Sequence, residues 1–188
     1  MPLDTKRVKV MDLTDVKIYK MSADAGASPT YETGVAIPGV VKLGFKPEMA
    51  SADLEGDGIL LDVFSKVKAL EVELEGALLS FEVQAVIMGT TVTEAGATPN
   101  QTSTMELTKD TRPNWFKVEG RWQYPGLGLG SVNVTFFKCK VTDPDPIEVN
   151  DANGKFGTVK YKAKAIPCES NGKLSSTVAN ETAAALSE

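Results

Sequence analysis

Residues 67–76 read VKALEVELEG, and no other stretch constrains the fold as tightly. Leu70, Val72 and Leu74 fall on one side of an extended backbone and Glu71, Glu73 and Glu75 on the other. That period of two belongs to a half-buried strand. The period then changes at once. Leu79, Val83, Val86 and Ile87 recur at helical spacing. Ser80 stands where an N-cap belongs, Glu82 falls in the first turn, and Gly89 stands where the helix must stop. A strand running into one short helix at about 79–88 is therefore expected, with Leu79, Val83 and Val86 packing on the sheet.

The rest of the chain reads as strands joined by turns. RVKVMDL and VKIYKM open it, and VAIPGVVKLGF follows, interrupted by Pro38 and Gly39 at a bend, bulge or sheet edge. KPEMASADLEGDGILLD is expected as a long polar loop, of a length that in compact domains is often functional. MELTKD, WFKVEGRWQY, VNVTFFKCKVT and FGTVKYKAKAI complete the set of strands. In WFKVEGRWQY, Phe116, Val118 and Trp122 share one face while Lys117, Glu119 and Arg121 share the other, as in an antiparallel sheet wet on one side. In VNVTFFKCKV the apolar side switches from Val132, Val134 and Phe136 to Phe137, Cys139 and Val141, which requires a bulge or different covering elements at the two ends. The expected fold is mainly β, an antiparallel β-sandwich or barrel with one short α-helix. A β domain would span residues 1–168. Residues 169–188, small and polar, form either a mobile tail or a short helix capped at Asn180.

Little in the chain suggests catalysis. It has no histidine, the commonest general base and metal ligand. Cys139 and Cys168 match no zinc spacing and are expected as buried, unbridged thiols. GLGLG at Gly126–Gly130 lacks the strand-to-helix setting of a nucleotide loop and reads as a hairpin connection. DANG at Asp151–Gly154 reads as a turn and DLEGDG at Asp53–Gly58 as a solvated loop tip rather than calcium sites. The three glutamates point in parallel and do not converge on a cleft, so a wet or interfacial face is expected. Lys160, Lys162 and Lys164 form a matching stripe, read as a solvated face or edge protection over a phosphate track. No catalytic residue, metal or cofactor is expected. A net charge of -5 would repel free nucleic acid on average. MPLDTKRVKVMDL carries no apolar signal core, and synthesis in a host cytoplasm is expected.

In order and flavour the elements resemble the major tail tube proteins of long-tailed bacteriophages. The resemblance is carried by VKIYKM, by VVKLGFKPEMASADLEGDGILLDVFSKVKALEVELEG, and by WFKVEGRWQY, VNVTFFKCKVT and FGTVKYKAKA, over roughly residues 8 to 167. It implies a structural virion protein of the tail and no enzyme. Its subunits would close as homohexameric rings that complete an inner β-barrel across subunits. The rings would stack into a tube around the tape-measure protein, and terminator and tip proteins would meet its ends. DNA would pass through the lumen without specific binding. The ring-stacking loop would comprise Lys46, Pro47, Glu48, Met49, Ala50, Ser51, Ala52, Asp53, Leu54, Glu55, Gly56, Asp57 and Gly58. Glu71, Glu73 and Glu75 would face the lumen and repel phosphate, and the helix would pack outside. The lysine stripe is then expected to face outward or to pair with carboxylates of an adjacent subunit, because sixfold symmetry would otherwise present ~18 ammonium groups per ring to DNA. The rival readings are a capsid decoration protein and a carbohydrate-binding β-sandwich. The second is disfavoured because Trp115 and Trp122 fall on opposite faces by parity.

Overall fold

A computed structural model describes residues 12–56, 59–123, 130–144 and 158–186. Its elements in chain order are β1 (Leu13–Ala23), β2 (Thr30–Tyr31), β3 (Val35–Ala36), β4 (Val40–Gly56), β5 (Ile59–Gly76), α1 (Phe81–Met88), β6 (Val92–Ala95), β7 (Thr102–Met105), β8 (Phe116–Gln123), β9 (Ser131–Pro144), β10 (Val159–Ala165) and β11 (Ser175–Asn180). The chain is mainly β, with antiparallel sheets and one short helix. Most strands join one sheet in the order β2-β1-β8-β9-β10-β5-β4, with β3 beside β1 and β11 beside β9. β6 and β7 form a separate ribbon. The expected strand before Asp12, the GLGLG loop up to Leu129 and the DANG turn lie outside the described residues. MELTKD is not a strand, because β7 ends at Met105.

The alternation around Leu70–Gly76 places β5 at the centre of a three-stranded unit. It pairs with β4 on one side, from Leu43↔Leu74 to Pro47↔Leu70, and with β10 on the other, from Val159↔Gly76 to Ala165↔Leu70. Leu70, Val72 and Leu74 point to the core and are at most 5% exposed. The sheet rolls over this face. A Cβ built on Gly120 of β8 would meet Leu43 Cδ2 of β4 at 2.2 Å, so β8 and β4 pack closely across the core and a larger residue there would displace the Leu43 side chain. Phe45 of β4 lies with its ring centroid 5.3 Å from that of Phe136 on β9. Val16, Ile18, Val118, Val134, Phe136 and Cys139 fill the space between and are almost fully buried.

The switch of faces in β9 is a bulge. Phe116 pairs with Cys139 and Val118 with Phe136, so β9 fits one extra residue and both Phe136 and Cys139 reach the same core. Its two halves also have different neighbours, with β11 along Ser131–Phe136 and β10 along Cys139–Pro144. Both cysteines are buried and free.

The helix has the expected caps. Ser80 Oγ accepts from Val83 N at 3.4 Å, and Gly89 adopts a left-handed φ of 76°. Val83 and Ile87 are buried in the core, and Val86 is partly buried against it. Leu79 does not join them. It precedes the helix and is 45% exposed, because the first turn starts at Phe81 and leaves Leu79 on the connection.

The C-terminal segment is neither a free tail nor a helix capped at Asn180. Its residues 175–180 form β11 and satisfy the edge of β9 left open where β10 diverges. Two clasps hold it. Asn133 Nδ2 donates to Ala184 O, and Ala184 N donates to Ser131 Oγ. Asp24 accepts from the backbone N–H groups of Glu169 and Ser170, and Lys138 Nζ sits 2.8 Å from Asp24 and 2.9 Å from Glu169. Hydrogen bonds from Lys138 and the Glu169 N–H hold the Asp24 carboxyl well below the usual carboxylate range. Burial pushes the Lys138 ammonium down, but its bonds to Asp24 and Glu169 carry it above its ordinary value.

Two outcomes follow from this packing. Phe136→Ala empties a fully buried site and should cost about 3–5 kcal/mol in chemical denaturation. Because Asp24 is depressed in the folded chain, its contribution is complete above the ordinary carboxylate pKa and drains away as pH falls below about 4 toward the folded value. Acid titration should therefore release residues 169–186 to protease before the core melts, and Asp24→Asn should release them already at neutral pH.

Candidate functional site

The expected stacking loop is a strand. Lys46 to Gly56 belong to β4, which runs antiparallel to β5 as far as Gly56↔Ile59, while Asp57 and Gly58 lie outside the described residues. Proline and a run of small and polar residues argue for a loop from local propensity, but cross-strand pairing with β5 overrides that preference. Pro47 is tolerated because β4 is the last strand of the sheet and has one edge without a partner among the described residues. β10 stops at Ala165↔Leu70, so beyond Leu70 the β4–β5 ribbon continues with no third strand among the described residues. Its distal part, residues 49–56, is about 26 Å long at the usual rise per residue.

A bulge at Lys68 separates the anchored base from this arm. Glu48 pairs with Ala69 and Met49 with Val67, which reverses the parity of β5 relative to its base. Met49, Val63 and Val67 therefore share one side of the arm, and Leu54 and Phe64 the other. All are exposed, as are Ile59, Leu60 and Leu61, and residues 59–68 are exposed without interruption. Ala50, Ser51, Ala52, Asp53 and Glu55 fill the remaining positions of β4. A two-stranded ribbon has no inside, so neither apolar side can be covered by the ribbon itself.

The base of the same ribbon carries the charges. Lys160, Lys162 and Lys164 on β10 stand opposite Glu75, Glu73 and Glu71 on β5, and on the far side Lys42 and Lys46 of β4 stand opposite Glu75 and Glu71. The acid row is thus flanked on both sides by lysines. Lys42 Nζ reaches Glu73 at 2.6 Å, and Lys160 lies 3.7 Å from Glu75. Lys162 lies 4.0 Å from Asp143 of β9. Lys164 reaches across the central strand and contacts Glu48, the β4 residue that pairs with Ala69, at 2.5 Å. Ala69 is only 2% exposed. The Glu73 hydrogen bond raises the Lys42 ammonium, and the Lys164 contact lowers the Glu48 carboxyl.

Within the single chain the two stripes are not separated. Lysines and glutamates share one face of one sheet, so whatever that face lines meets both, and the partners of the lysines belong to the same chain. Register explains it: antiparallel pairing sets the odd positions of β5 opposite the even positions of β10. The aromatic platform is also absent as a unit. Trp122 packs against the core, whereas Trp115 lies near Lys138 and Lys140, whose Nζ atoms are 5.2 and 5.1 Å from its ring centroid. Among the described residues no group of three carboxylates or thiols is placed to hold a metal ion.

No family model matches the chain, and no curated protein matches it.

The arm should be the least protected regular structure in dilute protein. Amides of residues 49–56 and 59–67 should exchange on the order of a hundredfold faster than those of residues 70–74, read by hydrogen-exchange mass spectrometry. Equal protection across the Lys68 bulge would mean that the arm is covered.

Proposed function

We propose that this chain is the subunit of a bacteriophage tail tube, a structural virion protein whose copies close into rings and stack as a conduit for DNA. The observation that carries the reading is the arm. Eight large apolar side chains, Met49, Leu54, Ile59, Leu60, Leu61, Val63, Phe64 and Val67, stand between 39% and 64% exposed on one projecting ribbon. Full burial of such a side chain is worth about 1.5–3 kcal/mol, so eight half-buried ones leave on the order of 10 kcal/mol unrealised. That is comparable to the whole stability of a domain. Association recovers it. The arm extends a strand pair away from its own core, as a contact to a stacked ring requires, and the open edge of β4 is available for a neighbour within the ring. The resemblance of the sequence to tail tube proteins points the same way.

On this reading the β4–β5–β10 face lines the bore. Its charges are balanced, so the wall neither grips phosphate nor repels it strongly, and DNA slides past matched pairs. The tape-measure protein fills the bore during assembly, and the tube ends meet terminator and tip proteins.

Negative-stain microscopy of the concentrated protein tests the reading, with six-membered rings or tubes expected. Phe64→Glu with Leu60→Glu places charge on the arm without touching the core, and should abolish tubes while leaving the melting temperature within a few degrees of the parent. Particles that remain monomeric at every concentration, or tubes that survive both substitutions, would overturn it.

A further inference from the structure

Lys160, Lys162 and Lys164 follow one another at every second residue of β10, which sets their stems ~6.8 Å apart. Two phosphate steps of one DNA strand rise by about the same distance, at 3.4 Å each. Lys42 and Lys46 stand on the other side of β5, two strand spacings or ~9.6 Å away. Alone, these lysines make two cationic rows on an open, solvated sheet face, a surface suited to a phosphate backbone. They are not alone. The only strand between the rows is β5, and every outward position from Glu71 to Glu75 on it is a glutamate. Glu48 and Asp143 occupy the margins and take Lys164 and Lys162.

We infer that the Glu71–Glu73–Glu75 row is a built-in anion mask over a latent nucleic-acid-binding track. The central row sits within reach of both lysine rows, as the Lys42–Glu73 and Lys160–Glu75 contacts show. A polyanion approaching the face meets carboxylates at the positions its phosphates would need, and the lysines gain no counterion release because they are already neutralised. A net charge of -5 spread over the chain would not achieve this, since at physiological salt a distant charge is screened within ~8 Å. The mask works because it is interleaved. It belongs to the single chain and does not depend on the tubular reading.

The test is fluorescence anisotropy with a labelled 20-base-pair duplex and full-length protein. The parent should show no salt-dependent binding. Glu71→Gln with Glu73→Gln and Glu75→Gln keeps the shapes and unmasks Lys46, Lys42 and Lys160, while Lys162 and Lys164 keep Asp143 and Glu48. It should bind with a slope of log affinity against log salt of about -3, a ~40-fold weakening between 50 and 200 mM salt. Adding Lys42→Gln, Lys46→Gln and Lys160→Gln should abolish that binding. Should the triple glutamine variant lose its β-sheet circular dichroism, the double Glu71→Gln, Glu73→Gln variant changes only exposed positions and should bind with a slope of about -2. A folded glutamine variant that ignores DNA overturns the inference. So does a parent that already binds as tightly as the variant, or binding that survives loss of the lysines.

Discussion

Apolar side chains on both faces of an isolated two-stranded ribbon are the constraint from which the rest of the account follows. A sheet buries one face against a second layer, but among the described residues the β4–β5 arm beyond Leu70 has no layer on either side. Its Leu, Ile, Val and Phe residues cannot find cover by local rearrangement, because the bulge at Lys68 already distributes them over both faces. The base of the ribbon, by contrast, is held as firmly as any part of the molecule. β5 lies between β4 and β10, its inward residues close the core, and Lys164 spans all three strands to reach Glu48. On the proposed reading, this rigid root carries its apolar limb into contact with another copy.

The same register that fixes the root sets the character of its outer face. Alternation sends every second residue outward, and antiparallel pairing sets lysines of the outer strands beside glutamates of the central one. Exposed ion pairs of this kind add little stability singly. Their consequence is electrostatic: a face rich in charge presents no net field to a polyanion at close range. On the inference drawn above, the acid row acts through the lysines that stand beside it on the same face.

The legible parts of the fold were those written in local pattern. Leu70–Glu75 announced β5, Ser80 and Gly89 bracketed α1, and the change of side at Phe136–Phe137 announced the β9 bulge. The illegible parts depend on partners distant in sequence. Pro47, Ala50, Ala52 and Asp53 have poor strand propensity and become strand only through β5. The signal that was available lay in Ile59–Phe64, a β-branched and aromatic-rich run too apolar for a solvated loop. Residues 175–180 look like a polar tail because the edge they satisfy lies some forty residues earlier, on β9. The stripe at Lys160–Lys164 was visible, but the strand beside it was not, and that neighbour decides what the stripe can bind.

The most direct test of the account is a density map of the protein at the concentration where it assembles, traced at the arm. The account predicts that Leu60, Phe64 and Val67 are enclosed by side chains of a different copy, in a contact repeated along an axis. An arm that remains in solvent in the assembled particle, or one folded back on its own subunit, would contradict it.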